Sequence, residues 1–239
     1  MNDNKKTGIR IGDFLFRYRS FTPIPLIVIV LFFFKPFNFG AEINLLMTIT
    51  GIIISFTGEL IRVFSVGFSY FGTSGRENYL RAENLNISGI YSIVRNPLYI
   101  GNVLMFSGLL IVYLNFYALT LFISFLILQY YFIIQSEENY LRGIYKEAYT
   151  VYCKNTNSIL PKFSKFIKPE LYFNLKKVIF KENDSIFNMI VMFIALLSIR
   201  EKHFSTIHML IIILLLITYI AIKIWKKKGM NDIKDKIRK

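Results

Sequence analysis

Glu137 and Glu138 stand side by side where a long apolar run meets the polar stretch EENYLRGIYKEAYTVYCKNTNSILP. A carboxylate pair there sits near the negative end of a helix dipole and at the edge of lipid, where acid is costly unless it binds something. A second stretch, SGIYSIVRNPLYIGN over 88–102, brings Arg95, Asn96, Pro97 and two tyrosines to the edge of another apolar run. Pro97 suits the first position of a helix, with Asn96 as its cap. The free amides of such a helix start favour an anion, either carboxylate or phosphate. Arg95 alone could simply snorkel to headgroups, and the tyrosines could be plain interfacial anchors. Between them the two stretches raise a binding site without naming its ligand.

Two lesser features are polar at the same kind of boundary. FGTSGRENY over 71–79 has two glycines, two hydroxyls and Arg76 close together, which is either an anion nest or an ordinary turn. Glu59 and Arg62 lie near one helical turn apart and can pair within their own helix.

The elements that must position these groups follow from composition. Apolar residues make up 54% of the chain, phenylalanine alone contributes 24 residues, and charged residues make up only 18%. They fall in blocks, which makes the bilayer the solvent and the chain an all-α, polytopic integral membrane protein. The net charge of +14 raises the question of nucleic acid, but its distribution points to a membrane surface instead. Cys153 is the only cysteine, so no internal disulfide forms. His203 and His208 have no acidic partner in ligand spacing, and no metal site is expected.

Six apolar blocks predict about six transmembrane helices, over 21–39, 43–64, 98–116, 117–134, 186–199 and 207–225. With both termini on one side, all of the 29 basic residues except Lys35, Arg200 and Lys202 fall on that side. The positive-inside rule makes it the cytoplasm. The basic leader before the first block lacks a small-residue cleavage site, so it reads as a retained helix or half of a hairpin. The basic tail reads as a solvated cap on anionic headgroups. The whole chain, 1–239, reads as a single membrane domain.

The third and fourth blocks meet at a tight junction near Asn115, which predicts an antiparallel hairpin. Such a hairpin brings 91–99 close to 135–149. Leu141, Tyr145, Tyr149 and Tyr152 recur at helical spacing and mark one face of a helix continuing out of the membrane.

Taken together, SGIYSIVRNPLYIGN and EENYLRGIYKEAYTVYCKNTNSILP resemble the isoprenylcysteine carboxyl methyltransferase and phospholipid methyltransferase superfamily. Gly89, Tyr91, Arg95, Pro97, Tyr99 and Gly101 match the first half of that family's pattern. Glu137, Glu138, Leu141, Tyr149, Tyr152 and Pro161 match the second. The resemblance covers about 83–161 and implies a methyltransferase core over 59–161, with a two-helix extension over 186–225. It also implies S-adenosyl-L-methionine as methyl donor, in a cytoplasmic pocket between the hairpin ends. The implied cofactor shell is Glu83, Asn84, Leu85, Asn86, Tyr91, Asn96, Pro97, Leu98, Tyr99 and Glu137. Arg95 and Glu138 are the candidate catalytic residues, and Arg76 and Arg81 the candidates for binding a substrate phosphate.

Three positions depart from the pattern. Asn96 replaces the usual histidine, Lys146 replaces a glycine, and Ile133 stands where the isoprenylcysteine enzymes carry an arginine. GTSGREN and the residues after it look closer to a bacterial subgroup that includes lipid A 1-phosphate methyltransferases. The expected activity is therefore O-methylation of a lipid phosphate in the inner membrane. The alternatives are a phosphatidylethanolamine N-methyltransferase, in which Glu138 takes the amine's proton, an isoprenylcysteine carboxyl methyltransferase, and a non-catalytic lipid-binding protein.

Overall fold

The structure is a computed structural model that describes residues 3–70 and 84–237, with side chains over 7–227. The described residues form helices α1 (Asp3–Tyr18), α2 (Pro23–Phe33), α3 (Ala41–Gly67), α4 (Ile90–Ile93), α5 (Pro97–Tyr113), α6 (Phe116–Asn155), α7 (Leu175–Glu201) and α8 (Thr206–Ile237). No strand joins them; one isolated bridge pairs Gly89 with Ile167. The all-helical, polytopic reading holds.

Among the described residues, four helices are long and apolar enough to cross a bilayer: α3, α6, α7, and α8 over Thr206–Lys227. A fifth span is counted if α1 and α2, bent by 74° at their junction, act as one. The six apolar blocks are all present as helices, but two fall short of spanning length. α2 has 11 residues, because its apolar run meets Lys35 and Pro36, and the residue before a proline disfavours helix. α5 has 17 residues, about 26 Å at helical rise, against a hydrocarbon core of about 30 Å. α7 starts well before the predicted 186. Asn174 caps it, its side chain accepting from Lys177 N–H at 2.9 Å.

Residues 1–173 and 174–239 form two compact units. In the first, α3 and α5 pack nearly backbone to backbone. A Cβ at Gly58 would lie 2.5 Å from the Gly101 carbonyl, and one at Gly108 would meet the Gly51 carbonyl and Ser55 Oγ. Ser55 Oγ, fully buried there, donates to the Met105 carbonyl at 2.7 Å. Small residues are what allow helices to approach so closely where lipid supplies no hydrophobic drive.

The predicted hairpin joins α5 to α6. Leu114 closes α5 in the left-handed region (φ 58°), and Asn115 Oδ1 caps α6 by accepting from Ala118 N–H at 2.9 Å. α1 lies against α6, with Gly12 on the Phe132 carbonyl and Ser136 donating to Asp13. In the second unit α7 and α8 pair across Lys202 (φ 51°), fixed by the Lys223–Asp184 ion pair at 2.7 Å and the Phe180–Trp225 ring contact.

Candidate active site

The site is assembled where α5 begins and the last third of α6 runs past it. Val94 is extended, Pro97 opens α5, and Asn96 holds the N-cap position. α6 ends at Thr156, which is also extended, so the chain turns back beside 95–96. Arg95 N–H then donates to the Asn157 carbonyl at 2.9 Å, and Asn96 N–H to the Ser158 carbonyl at 3.2 Å.

The adjacent carboxylates take different partners. Neighbours on a helix point about 100° apart, so Glu137 and Glu138 face different ways. Tyr99 Oη donates to Glu137 Oε2 at 2.8 Å. Arg95 donates to Glu138 Oε1 from Nη2 at 2.6 Å and from Nε at 3.1 Å. Ser158 Oγ also donates to that oxygen at 3.1 Å, and the Arg142 guanidinium lies 3.8 Å from Glu138 Oε2. The two conspicuous stretches of the sequence thus meet at two separate bonds.

Arg95 is heavily committed. Its Nη1 donates to the Cys153 carbonyl at 3.4 Å and to the Thr156 carbonyl. Burial by itself would lower its pKa, but the hydrogen bonds and charge of Glu138 outweigh that, and the guanidinium is held above its ordinary value. It is therefore a permanent cation tying α6 and its exit to the start of α5. Asn96 does not cap α5 with its side chain, as the sequence reading expected. Its Nδ2 instead donates to the Ser158 carbonyl at 3.1 Å and Ser158 Oγ at 3.0 Å. Among the described residues, the N-cap side chain thus leaves the first-turn amides of α5 uncapped.

A polar chain runs inward from Glu137. The Tyr99 ring lies 4.7 Å from that of Tyr130, whose hydroxyl accepts from Asn102 Nδ2 at 3.0 Å. Asn102 Oδ1 accepts from Arg62 Nη1 at 2.6 Å, and Arg62 lies 3.8 Å from Glu59. The expected Glu59–Arg62 pair is thus one end of a path crossing α3, α5 and α6. Asn102 and Tyr130 escaped the sequence reading, although an asparagine within an apolar helix is itself a signal. Arg19 escaped it too, having been counted only in the basic leader; its charge acts on both Tyr99 and Glu137.

The tyrosine ladder is not a row of exposed anchors. Tyr149 and Tyr152 are buried, and Tyr152 Oη donates to the Tyr91 carbonyl at 2.7 Å. The ladder turns inward because α6 breaks at Lys146 (φ 46°, ψ −113°), the position where the resembling family carries glycine.

The other residues named from the sequence are placed as follows. Tyr91 and Pro97 are buried, Leu98, Leu85 and Asn86 half-buried, and Asn84 exposed. Asn86 Oδ1 accepts from Tyr70 N–H at 2.9 Å, away from the carboxylate pair. Glu83, Arg76 and Arg81 lie outside the described residues.

The segment from α3 to the break in α6 carries the site almost whole. Residues 43–148 match the phospholipid methyltransferase family. Comparison with curated proteins and with solved structures returns no match. The resemblance drawn from the sequence over about 83–161 is borne out where the two overlap, over 83–148. With helices of spanning length, the segment is similar to that of membrane methyltransferases. The matched segment holds both carboxylates, Arg95, Asn96 and Tyr99, while Ser158 and Arg19 come from outside it.

Proposed function

We propose that this protein is an S-adenosyl-L-methionine-dependent methyltransferase of the inner membrane that O-methylates a lipid phosphate, of the lipid A 1-phosphate kind. The observation that carries the reading is Glu137 held by Tyr99 beside an α5 start that the side chain of Asn96 does not cap. The donor set suits S-adenosylmethionine, which the phospholipid methyltransferase family generally uses. Glu137 would accept from its ammonium or ribose hydroxyls. The first-turn amides of Leu98 and Tyr99 would receive its carboxylate. Its adenine and sulfonium suit the faces of neighbouring tyrosines. The bound cofactor supplies a methyl on a sulfonium, open to attack by an oxygen that already bears charge.

The protein's part is then to position and to keep dry. Well-oriented reactants can gain about 7–11 kcal/mol against the barrier. An anionic phosphate gives up no proton, so the missing imidazole at 96 has no cost. Glu138, held by Arg95 and Ser158, is poorly free to act as a base, which disfavours the amine-methylating alternative. The same bonds make Arg95 and Glu138 positioning groups in this reading, with Arg76 and Arg81 as the phosphate ligands. The basic-residue bias supports a site facing the cytoplasm, where the methyl donor is made.

Membranes expressing the protein, incubated with radiolabelled methyl donor, test this directly. The label is expected in a phosphate-bearing lipid, and it is expected to resist mild alkali that frees methanol from a carboxyl methyl ester. Label in an ethanolamine headgroup would replace the phosphate acceptor with an amine. Label in protein would overturn the lipid reading altogether.

A further inference from the structure

The chain between α6 and α7 returns across the outside of the site as a pinned strap. Lys162 N–H donates to the Ile93 carbonyl at 3.0 Å, Gly89 N–H to the Ile167 carbonyl at 2.8 Å, and Ile167 N–H to Ser92 Oγ at 2.8 Å. Pro169 rests on Gly89, whose φ of +61° and lack of a Cβ both suit glycine. Tyr70 Oη donates to Glu170 at 2.9 Å, and the Phe173 ring packs on Gly67 and, at 5.3 Å, on Phe68.

A segment fixed this firmly would be expected to bury its large apolar side chains. It does the opposite: Leu160, Phe163, Phe166, Ile167 and Tyr172 are 74%, 76%, 58%, 58% and 97% exposed. Lys162, Lys165 and Lys168 are exposed between them, one every third residue. A contiguous apolar patch does not face water without a reason. The strap is bonded to Ser92 and Ile93 just before α5 begins, and Phe173 just beyond it packs on the end of α3. That sets it at the depth of the bilayer boundary, where aromatic rings and lysines are the residues lipid favours.

We propose that residues 159–172 form an interfacial strap docked on the anionic headgroup layer of the surrounding bilayer. Leu160, Phe163, Phe166 and Ile167 dip beneath the phosphates, and the three lysines pair with them. The regular lysine spacing commits the partner to anionic lipid, because each cation near such a surface adds attraction. Since the strap's backbone is bonded at Ile93 and continuous with Ser158, it also sets the start of α5 at headgroup depth. This goes beyond the methyltransferase reading and is tested without methyl transfer.

The test uses the full-length protein with Trp225→Phe and Phe163→Trp, in phosphatidylcholine vesicles with and without phosphatidylglycerol. The new tryptophan is expected to be quenched by lipid brominated high on the acyl chain and shielded from aqueous iodide. Its emission shifts to the blue when phosphatidylglycerol is added, and Lys162→Gln/Lys165→Gln/Lys168→Gln abolishes that shift. Quenching by iodide and not by brominated lipid overturns the proposal and leaves a surface for water or a protein partner. A phosphatidylglycerol shift unchanged in the triple variant overturns it equally. Should Phe163→Trp lose the parent's circular dichroism, Phe166→Trp gives the same readout.

Discussion

Arg95 Nη2 donates to Glu138 Oε1 at 2.6 Å, joining the start of α5 to α6 across a sequence separation of 43. Both side chains are largely buried, at 11% and 16% exposure, so the pair is tested as a unit. Arg95→Met leaves Glu138 buried with its principal cation gone and is expected to cost about 3 kcal/mol. Arg95→Met/Glu138→Leu should cost less than the two single changes added together, by roughly 1 kcal/mol or more. Unfolding of the four proteins in one detergent completes the cycle, and strict additivity would show that the contact couples nothing.

Lys146 tests the break in α6. At φ 46° and ψ −113° a side-chain-bearing residue is strained, by about 1–3 kcal/mol. Lys146→Gly relieves that strain at some entropic cost and is expected to raise stability by about 1 kcal/mol net. Lys146→Ala, which keeps the Cβ, should give no such gain in thermal unfolding.

Tyr99→Phe keeps the ring on Tyr130 and removes only the hydroxyl donated to Glu137. Loss of one hydrogen bond predicts S-adenosylmethionine binding weaker by roughly five- to tenfold, read by calorimetry. Glu137→Gln, which also removes the charge, should weaken it further. Unchanged binding in both would remove Glu137 from the cofactor site.

Gly108 and Gly143 should respond oppositely to alanine. A Cβ at Gly108 meets the Gly51 carbonyl and Ser55, so Gly108→Ala pushes α3 from α5 and costs about 1–3 kcal/mol. Nothing lies within 4 Å of a Cβ at Gly143, so Gly143→Ala should gain up to about 1 kcal/mol from helix propensity alone. Denaturant unfolding distinguishes the two.

Asn96→Asp tests why asparagine can stand where the family carries histidine. The amide donates to both the carbonyl and the hydroxyl of Ser158. Aspartate replaces that donor with an acceptor against a carbonyl, at a cost of about 1–3 kcal/mol. A marked rise in protease cleavage near Ser158 is expected, while Asn96→His should leave it closer to the parent.

The sequence by itself determined the solvent, the helices, the hairpin and the two stretches that meet at the candidate site. Those follow from local quantities: apolar run length, a link near Asn115 too short for anything but an antiparallel turn, and residue types at fixed spacing. It also marked Lys146 as a departure that touches local geometry, but the break of α6 there was shown only by the tertiary structure. The allocation of partners was decided only in three dimensions. Which of two adjacent carboxylates meets Arg95 and which meets Tyr99 depends on how α6 is rotated against the start of α5, a packing choice with no local signature. The side chain of Asn96 turns to Ser158 instead of capping α5 because a chain 62 residues further on runs alongside it. The strap over 159–172 reads in sequence as a basic loop. Only tertiary bonds to Gly89, Ser92 and Ile93 fix its backbone while leaving its phenylalanines and lysines facing outward.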